Sequence, residues 1–226
     1  MTLRQAGSLA ALTCAATYLV GFALLVTVFA PLGLGSDKID ATAVADFIAE
    51  RPGVMIAWNT LIYVVNALAL AVLVVALRRQ IAVSRPDAAA LTGAIGLIWA
   101  TLVLGAGMIA NVAVERTHAL AADPEAAAFL WQTLHAVELG LGGGNEIAGG
   151  AWILTVSLAS FSSGIFGRLT AGLGAIGGVA GLATIMPPLG EIAGAVFGLC
   201  AIAWFAAVGI VLLRGGGIRS GNEIAA

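Results

Sequence analysis

Residues 130–150, "LWQTLHAVELGLGGGNEIAGG", carry ionisable side chains directly into the apolar run "AWILTVSLAS" at 151–160. His135 and Glu138 precede a run of glycines, and Glu146 follows it. Two structures fit this pattern. Either a polar loop precedes a membrane helix, or one helix carries the charged groups into the membrane.

The composition of the whole chain identifies the solvent around that segment. The 226 residues are 61% hydrophobic and 10% charged, with a mean hydropathy of +1.05. Soluble domains are about 25% charged, and a fold of this size cannot hide so much apolar surface from water. We therefore expect a lipid bilayer around most of the chain. The net charge of −2 provides no basic surface, so we expect no nucleic-acid partner.

Charge-free runs longer than about 18 residues mark candidate membrane helices. The sequence contains six, which predicts an all-α polytopic membrane protein with one six-helix domain over residues 1–226. For the fourth we favour one continuous helix over a break at Gly140–Gly144, because lipid penalises unpaired backbone groups by several kcal/mol each. The predicted helices cover residues 7–30, 54–79, 89–114, 127–161, 168–186 and 189–213.

The loop between the first two helices predicts a short amphipathic helix over about residues 40–50. Asp40 suits an N-cap, and Pro52 lies just beyond the end. Val44, Phe47 and Ile48 fall on one face at helical spacing. We expect this helix to lie on the outer membrane surface, either packed against the bundle or acting as a gate.

A polar stripe marks the predicted fourth helix. At about 100° per residue, His135, Glu138 and Glu146 share a face, which we expect to point into the bundle. Charged groups inside a membrane are costly and usually face a cavity or a partner. Several other polar residues belong to the outer halves of their predicted helices or to the adjoining loops. The stripe and these residues predict an outward-facing pocket lined by Glu146, Asn145, Glu138, His135, Asn111, Asn59, Glu115 and Glu191.

His135 and Glu138 also form the one i, i+3 pair that could share a metal ion. His118 is the other histidine, which leaves a metal or redox site as an alternative. Cys14 and Cys200 lack metal-ligand spacing, and the single lysine, Lys38, lies outside the predicted helices. We therefore predict no cofactor.

Glycines predict how the last two helices pack. Small residues at every fourth position of a membrane helix let the backbone of a neighbouring helix approach closely. The tight turn at Pro187–Pro188 should bring the fifth and sixth helices together, although the same glycines could serve a homodimer. The predicted packing residues are Gly190, Gly194 and Gly198 on the sixth helix and Gly174 and Gly178 on the fifth.

Three segments resemble a family of uncharacterised bacterial six-helix integral membrane proteins. They are the loop before the second helix, "LHAVELGLGGG" at 134–144, and "SSGIFGRLTAGLGAIGGVAGLATI" at 162–185. The resemblance covers nearly the whole chain and implies the fold and the topology only. It implies no substrate, cofactor or catalytic residue, and Glu138, Asn145 and Glu146 depart from the family pattern. We expect a multi-pass protein of the bacterial cytoplasmic membrane.

The sequence favours a protein that binds or transports a small or amphipathic ligand over an enzyme. One alternative is a membrane-embedded metal or redox enzyme that uses His135 and Glu138. Another is an accessory subunit whose glycine ridges pack on a larger membrane complex.

The basic residues predict the orientation, because cytoplasmic segments are enriched in Lys and Arg. If both termini are cytoplasmic, seven of the ten Lys and Arg residues are inside, and Lys38, Arg51 and Arg116 are outside. In a variant without Cys14 and Cys200, an impermeant thiol reagent should label a cysteine at position 38 in intact cells and spare one at position 220. The reverse pattern would invert the topology.

Overall fold

The computed structural model describes residues 1–36, 38–143 and 146–215. Four helical segments are long and apolar enough to cross a membrane: Leu3–Leu32, Pro52–Ala82, Pro86–Ala119 and Pro187–Arg214. The α-helices are α1 (Leu3–Leu24), α2 (Ala41–Glu50), α3 (Pro52–Asn59), α4 (Asn66–Ala82), α5 (Pro86–Ala119), α6 (Pro124–Glu138), α7 (Ile147–Ser163), α8 (Arg168–Ala183) and α9 (Gly190–Arg214).

The predicted helix over 127–161 is wrong, because the chain breaks at the glycines. Helix α6 ends at Glu138, a π-helical segment covers Leu139–Gly143, and α7 begins at Ile147. The break centres on Gly142, whose φ of 129° suits only a residue without a Cβ atom. The cost of unpaired backbone groups in lipid does not apply here, because Gly142 lines a cavity inside the protein.

Two of the candidate membrane-spanning segments also contain π-helical turns. Leu25–Phe29 extends α1, and Thr60–Val65 joins α3 to α4 into one continuous segment. A π-helical turn widens the backbone locally and often accompanies a functional site. Both turns lie within or next to the residues that surround the cavity at Gly142.

Helices α7 and α8 are shorter than the other candidates, with 17 and 16 residues. Crossing a bilayer takes about 20 residues. Thus four of the six predicted helices meet the usual length for a membrane-spanning segment, with bounds that extend the predicted ones by a few residues.

The described residues form two hydrophobic cores. The larger one joins α1, α4, α5, α7 and α9 and includes Trp99, Trp152 and Trp204. The smaller one lies at the other end of α5, where α2 packs on α6 and on the 3-10 turn Ala30–Leu32 that ends the first helical segment. The Asp40 carboxylate caps α2 by accepting from the backbone N–H groups of Thr42 and Ala43, as predicted.

Glycines bring α7 and α8 into direct backbone contact. A Cβ atom added to Gly178 would lie 2.8 Å from the Gly150 carbonyl oxygen and 2.7 Å from the Leu154 nitrogen. One added to Gly181 would lie 2.7 Å from the Gly150 Cα atom. Backbone atoms cannot move aside without separating the helices, so these glycines set the distance between α7 and α8.

The predicted contact between α8 and α9 is confirmed, but Gly190 and Gly194 do not form it. Gly194 has no neighbour within 4 Å of an added Cβ atom, and Gly190 meets only a carbonyl oxygen at 3.9 Å. Gly177 packs against Cys200 of α9 instead. Gly174 also lies on Trp204 of α9, as predicted, and on Ser157 of α7. The other two predicted packing glycines contact different helices: Gly198 lies on Phe22 of α1, and Gly178 lies on α7.

Gly178→Ala should therefore reduce the free energy of unfolding by about 1–3 kcal/mol, the usual cost of overpacking. Gly172→Ala is the matched control on the same helix, because an added Cβ atom there meets nothing within 4 Å. Unfolding in mixed micelles by SDS titration compares the two. Equal stability of both variants would mean that the α7–α8 backbone contact does not contribute to the fold.

Candidate functional site

A cavity of about 140 Å³ lies among the α1 segment, the π-helical turn before α4, α5 and the chain break at Gly142. Its size is close to that of an engineered cavity of about 150 Å³ that holds benzene. The cavity can thus hold a molecule of several non-hydrogen atoms. The residues around it include Tyr18, Phe22, Tyr63, Asn66, Val103 and Glu146.

Glu146 lies where the broken fourth helix resumes. It occupies the N-cap position of α7, and its backbone N–H donates to the Thr184 hydroxyl oxygen at 3.0 Å. Its carbonyl oxygen accepts from the Gly150 N–H at 2.7 Å. The end of α8 thereby helps hold Glu146 at the cavity, which Tyr18 and Tyr63 also line.

A hydrogen-bonded cluster adjoins the cavity through Tyr63. The Tyr63 hydroxyl donates to Glu138 Oε1 at 2.6 Å, and His135 Nδ1 lies 2.6 Å from Glu138 Oε2. The Glu138 side chain is only 5% exposed, and the His135 ring stacks on Trp131 with centroids 4.7 Å apart. Both carboxylate oxygens therefore have a partner, which a buried carboxylate requires.

The space for Tyr63 comes from a glycine on the neighbouring helix. An added Cβ atom at Gly107 of α5 would collide with the Tyr63 Cβ atom. The π-helical turn at Thr60–Val65 thus packs closely on α5. This close approach sets the Tyr63 hydroxyl within reach of Glu138.

A second set of hydrogen bonds orients Asn66 beside the cavity. The Thr17 hydroxyl donates to the Cys14 carbonyl oxygen at 2.9 Å. Since that hydroxyl has one hydrogen, its oxygen must act as the acceptor for Asn66, whose Nδ2 lies 2.7 Å away. These bonds connect α4 to α1 beside the cavity and orient the Asn66 amide.

The structure brings together only part of the predicted site. Glu146 lines the cavity, and Glu138 and His135 adjoin it through Tyr63. Asn59 is buried and Asn111 donates to Thr60, but neither lines the cavity. Glu115 and Glu191 are exposed, and Asn145 lies outside the described residues. The cavity adjoins the first helix, and none of its described lining residues belongs to α9.

Among the described residues, no third metal ligand joins His135 and Glu138, the pair predicted as an alternative metal site. Within residues 1–36, 38–143 and 146–215, no three His, Cys, Asp or Glu side chains lie close enough to hold an ion. Glu138 and His135 bond to each other instead. His118 is exposed near the end of α5.

Sequence reasoning did not assign Tyr18, Tyr63 and Asn66 to the site. A usable signal existed, because the chain contains only two tyrosines and both lie in predicted membrane helices. A phenol hydroxyl surrounded by lipid needs a polar partner. The π-helical turn that brings Tyr63 to Glu138 has no distinct sequence pattern, so their contact was not predictable.

Tyr63→Phe should reduce the free energy of unfolding by about 1–3 kcal/mol, because it leaves one buried oxygen of Glu138 without its donor. Tyr18→Phe is the matched control, since the Tyr18 hydroxyl has no hydrogen-bond partner among the described residues. The same SDS titration measures both variants. A loss for Tyr18→Phe as large as that for Tyr63→Phe would contradict a specific role for the bond to Glu138.

No known protein family, curated protein or solved structure matches this chain in the comparisons made. The resemblance to the uncharacterised six-helix family therefore stays a prediction.

Proposed function

We propose that this protein spans the bacterial cytoplasmic membrane six times, with both termini in the cytoplasm, and binds or transports a small or amphipathic ligand in the cavity beside Glu146. On this view α7 and α8 complete the six helices. Their length of 17 and 16 residues fits a bilayer that thins locally around a short helix pair.

Exposed apolar side chains support a lipid environment for the shorter helices as well. Ile176 and Val179 of α8 are exposed, as are Ile192 and Leu199 of α9. Such a surface would be unfavourable in water over a large contiguous area. Lipid chains are the apolar partner expected for a chain of this composition.

The observation that carries the proposed function is the cavity itself. Protein interiors are closely packed, and voids larger than a water molecule are few. This cavity adjoins a carboxylate, two tyrosines and an asparagine, and it lies next to the helix break at Gly142. An apolar interior that served only packing would not combine a void, a chain break and a carboxyl group at one place.

A cavity-filling variant tests this proposal. Val103 lines the cavity, and Val103→Phe should fill it with the added ring while leaving the fold intact. Three probes of similar size and different charge are tetramethylammonium, tert-butanol and pivalate. At least one should raise the Tm of the purified wild-type protein in detergent with saturation, as ligand linkage requires, and none should raise the Tm of Val103→Phe.

Val112→Phe is the control on the same helix, because Val112 is exposed and does not line the cavity. It should respond to the probes as the wild type does. The proposed function fails if no probe gives a saturable shift, or if Val103→Phe responds unchanged.

A further inference from the structure

We infer that the cavity accepts a small organic cation, an ammonium group with short apolar substituents, whose charge pairs with the Glu146 carboxylate. This inference rests on the proposed function and names the chemical class of its ligand. It follows from the hydrogen bonds and charges around the cavity, taken one group at a time.

Tyr63 lines the cavity, and its hydroxyl has no further hydrogen to donate to a ligand. Its single hydrogen is directed at Glu138 Oε1, which lies 2.6 Å away. Glu138 holds that hydrogen firmly, because a carboxylate accepts hydrogen bonds and cannot return one. The oxygen lone pairs that remain on Tyr63 suit a ligand that donates hydrogen bonds or carries positive charge.

Glu146 brings a carboxyl group to the cavity, and no basic side chain lies beside it among the described lining residues. Among the described residues that line the cavity, none is lysine, arginine or histidine. His135, which adjoins the cavity through Tyr63, already pairs with Glu138. A carboxylate removed from water is costly unless a counter-charge accompanies it. A cationic ligand supplies that counter-charge, whereas an anion would meet repulsion.

The aromatic residues and the volume define the rest of the ligand. Tyr18, Phe22 and Tyr63 line the cavity, and aromatic faces attract cations within about 6 Å of the ring centre. After its bond to Thr17, the Asn66 side chain still has its carbonyl oxygen and one N–H for a ligand. Asn66 is therefore compatible with a cationic or an anionic ligand. A partly open cavity of about 140 Å³ has room for an ammonium group with a few carbon atoms.

The three probes of matched size distinguish the ligand class. Isothermal titration of the purified protein in detergent should give saturable binding of tetramethylammonium. The dissociation constant of tert-butanol should be at least tenfold higher, and pivalate should not bind. Glu146→Gln keeps the size and the hydrogen-bonding atoms but removes the charge. It should raise the dissociation constant of tetramethylammonium at least tenfold, about 1.4 kcal/mol, and leave that of tert-butanol unchanged.

The possible results separate the proposed ligand site from the proposed cation class of its ligand. If tert-butanol or pivalate binds as tightly as tetramethylammonium, the cation class is wrong and the proposed ligand site stands. If tetramethylammonium binds Glu146→Gln as tightly as the wild type, Glu146 is not the counter-charge. If no probe binds, the proposed function fails with it. Should Glu146→Gln not fold, the ranking of the three probes on the wild-type protein still decides the class.

Discussion

Inside hydrocarbon, every backbone N–H and C=O group needs a partner within the protein, and the chain departs from regular helix only where such partners exist. The π-helical turn at Thr60–Val65 and the break at Gly142 both border the cavity, and a third irregular turn follows the cavity residue Phe22. The backbone N–H of Glu146 finds the Thr184 hydroxyl across the break. Irregular backbone and polar side chains thus occur together around the cavity.

The close packing of α7 on α8 connects this irregular region to the rest of the bundle. With Gly150, Gly178 and Gly181 in backbone contact, the end of α8 lies beside the start of α7. This proximity brings Thr184 within hydrogen-bonding distance of Glu146. Small residues therefore act on the site indirectly, because they bring together the two helix ends that hold its carboxylate.

The two carboxylates of the broken helix have different surroundings. Glu138 accepts hydrogen bonds from Tyr63 and pairs with His135, so its binding capacity is met within the protein. Glu146 lies at the cavity, and none of the described residues donates a hydrogen bond to its carboxylate. The carboxylate of Glu138 has its hydrogen-bond partners within the protein, which fits a structural role. The carboxyl group of Glu146 remains available at the cavity, which fits the proposed ligand-binding role.

Composition and periodicity by themselves determined that the chain is helical, that several helices suit a membrane, and that Asp40 caps a short helix before Pro52. These features depend on local sequence, since hydropathy and capping involve residues within a few turns of one another. The sequence also singled out Glu146, because a carboxyl group in an apolar segment is conspicuous. Only the tertiary structure decided the break at Gly142, the partners of Glu138 and the position of the cavity. These depend on contacts between distant residues, such as Tyr63 with Glu138 and Gly150 with Gly178. A glycine run is compatible with a straight helix or a break, and the choice between them follows from what packs beside it.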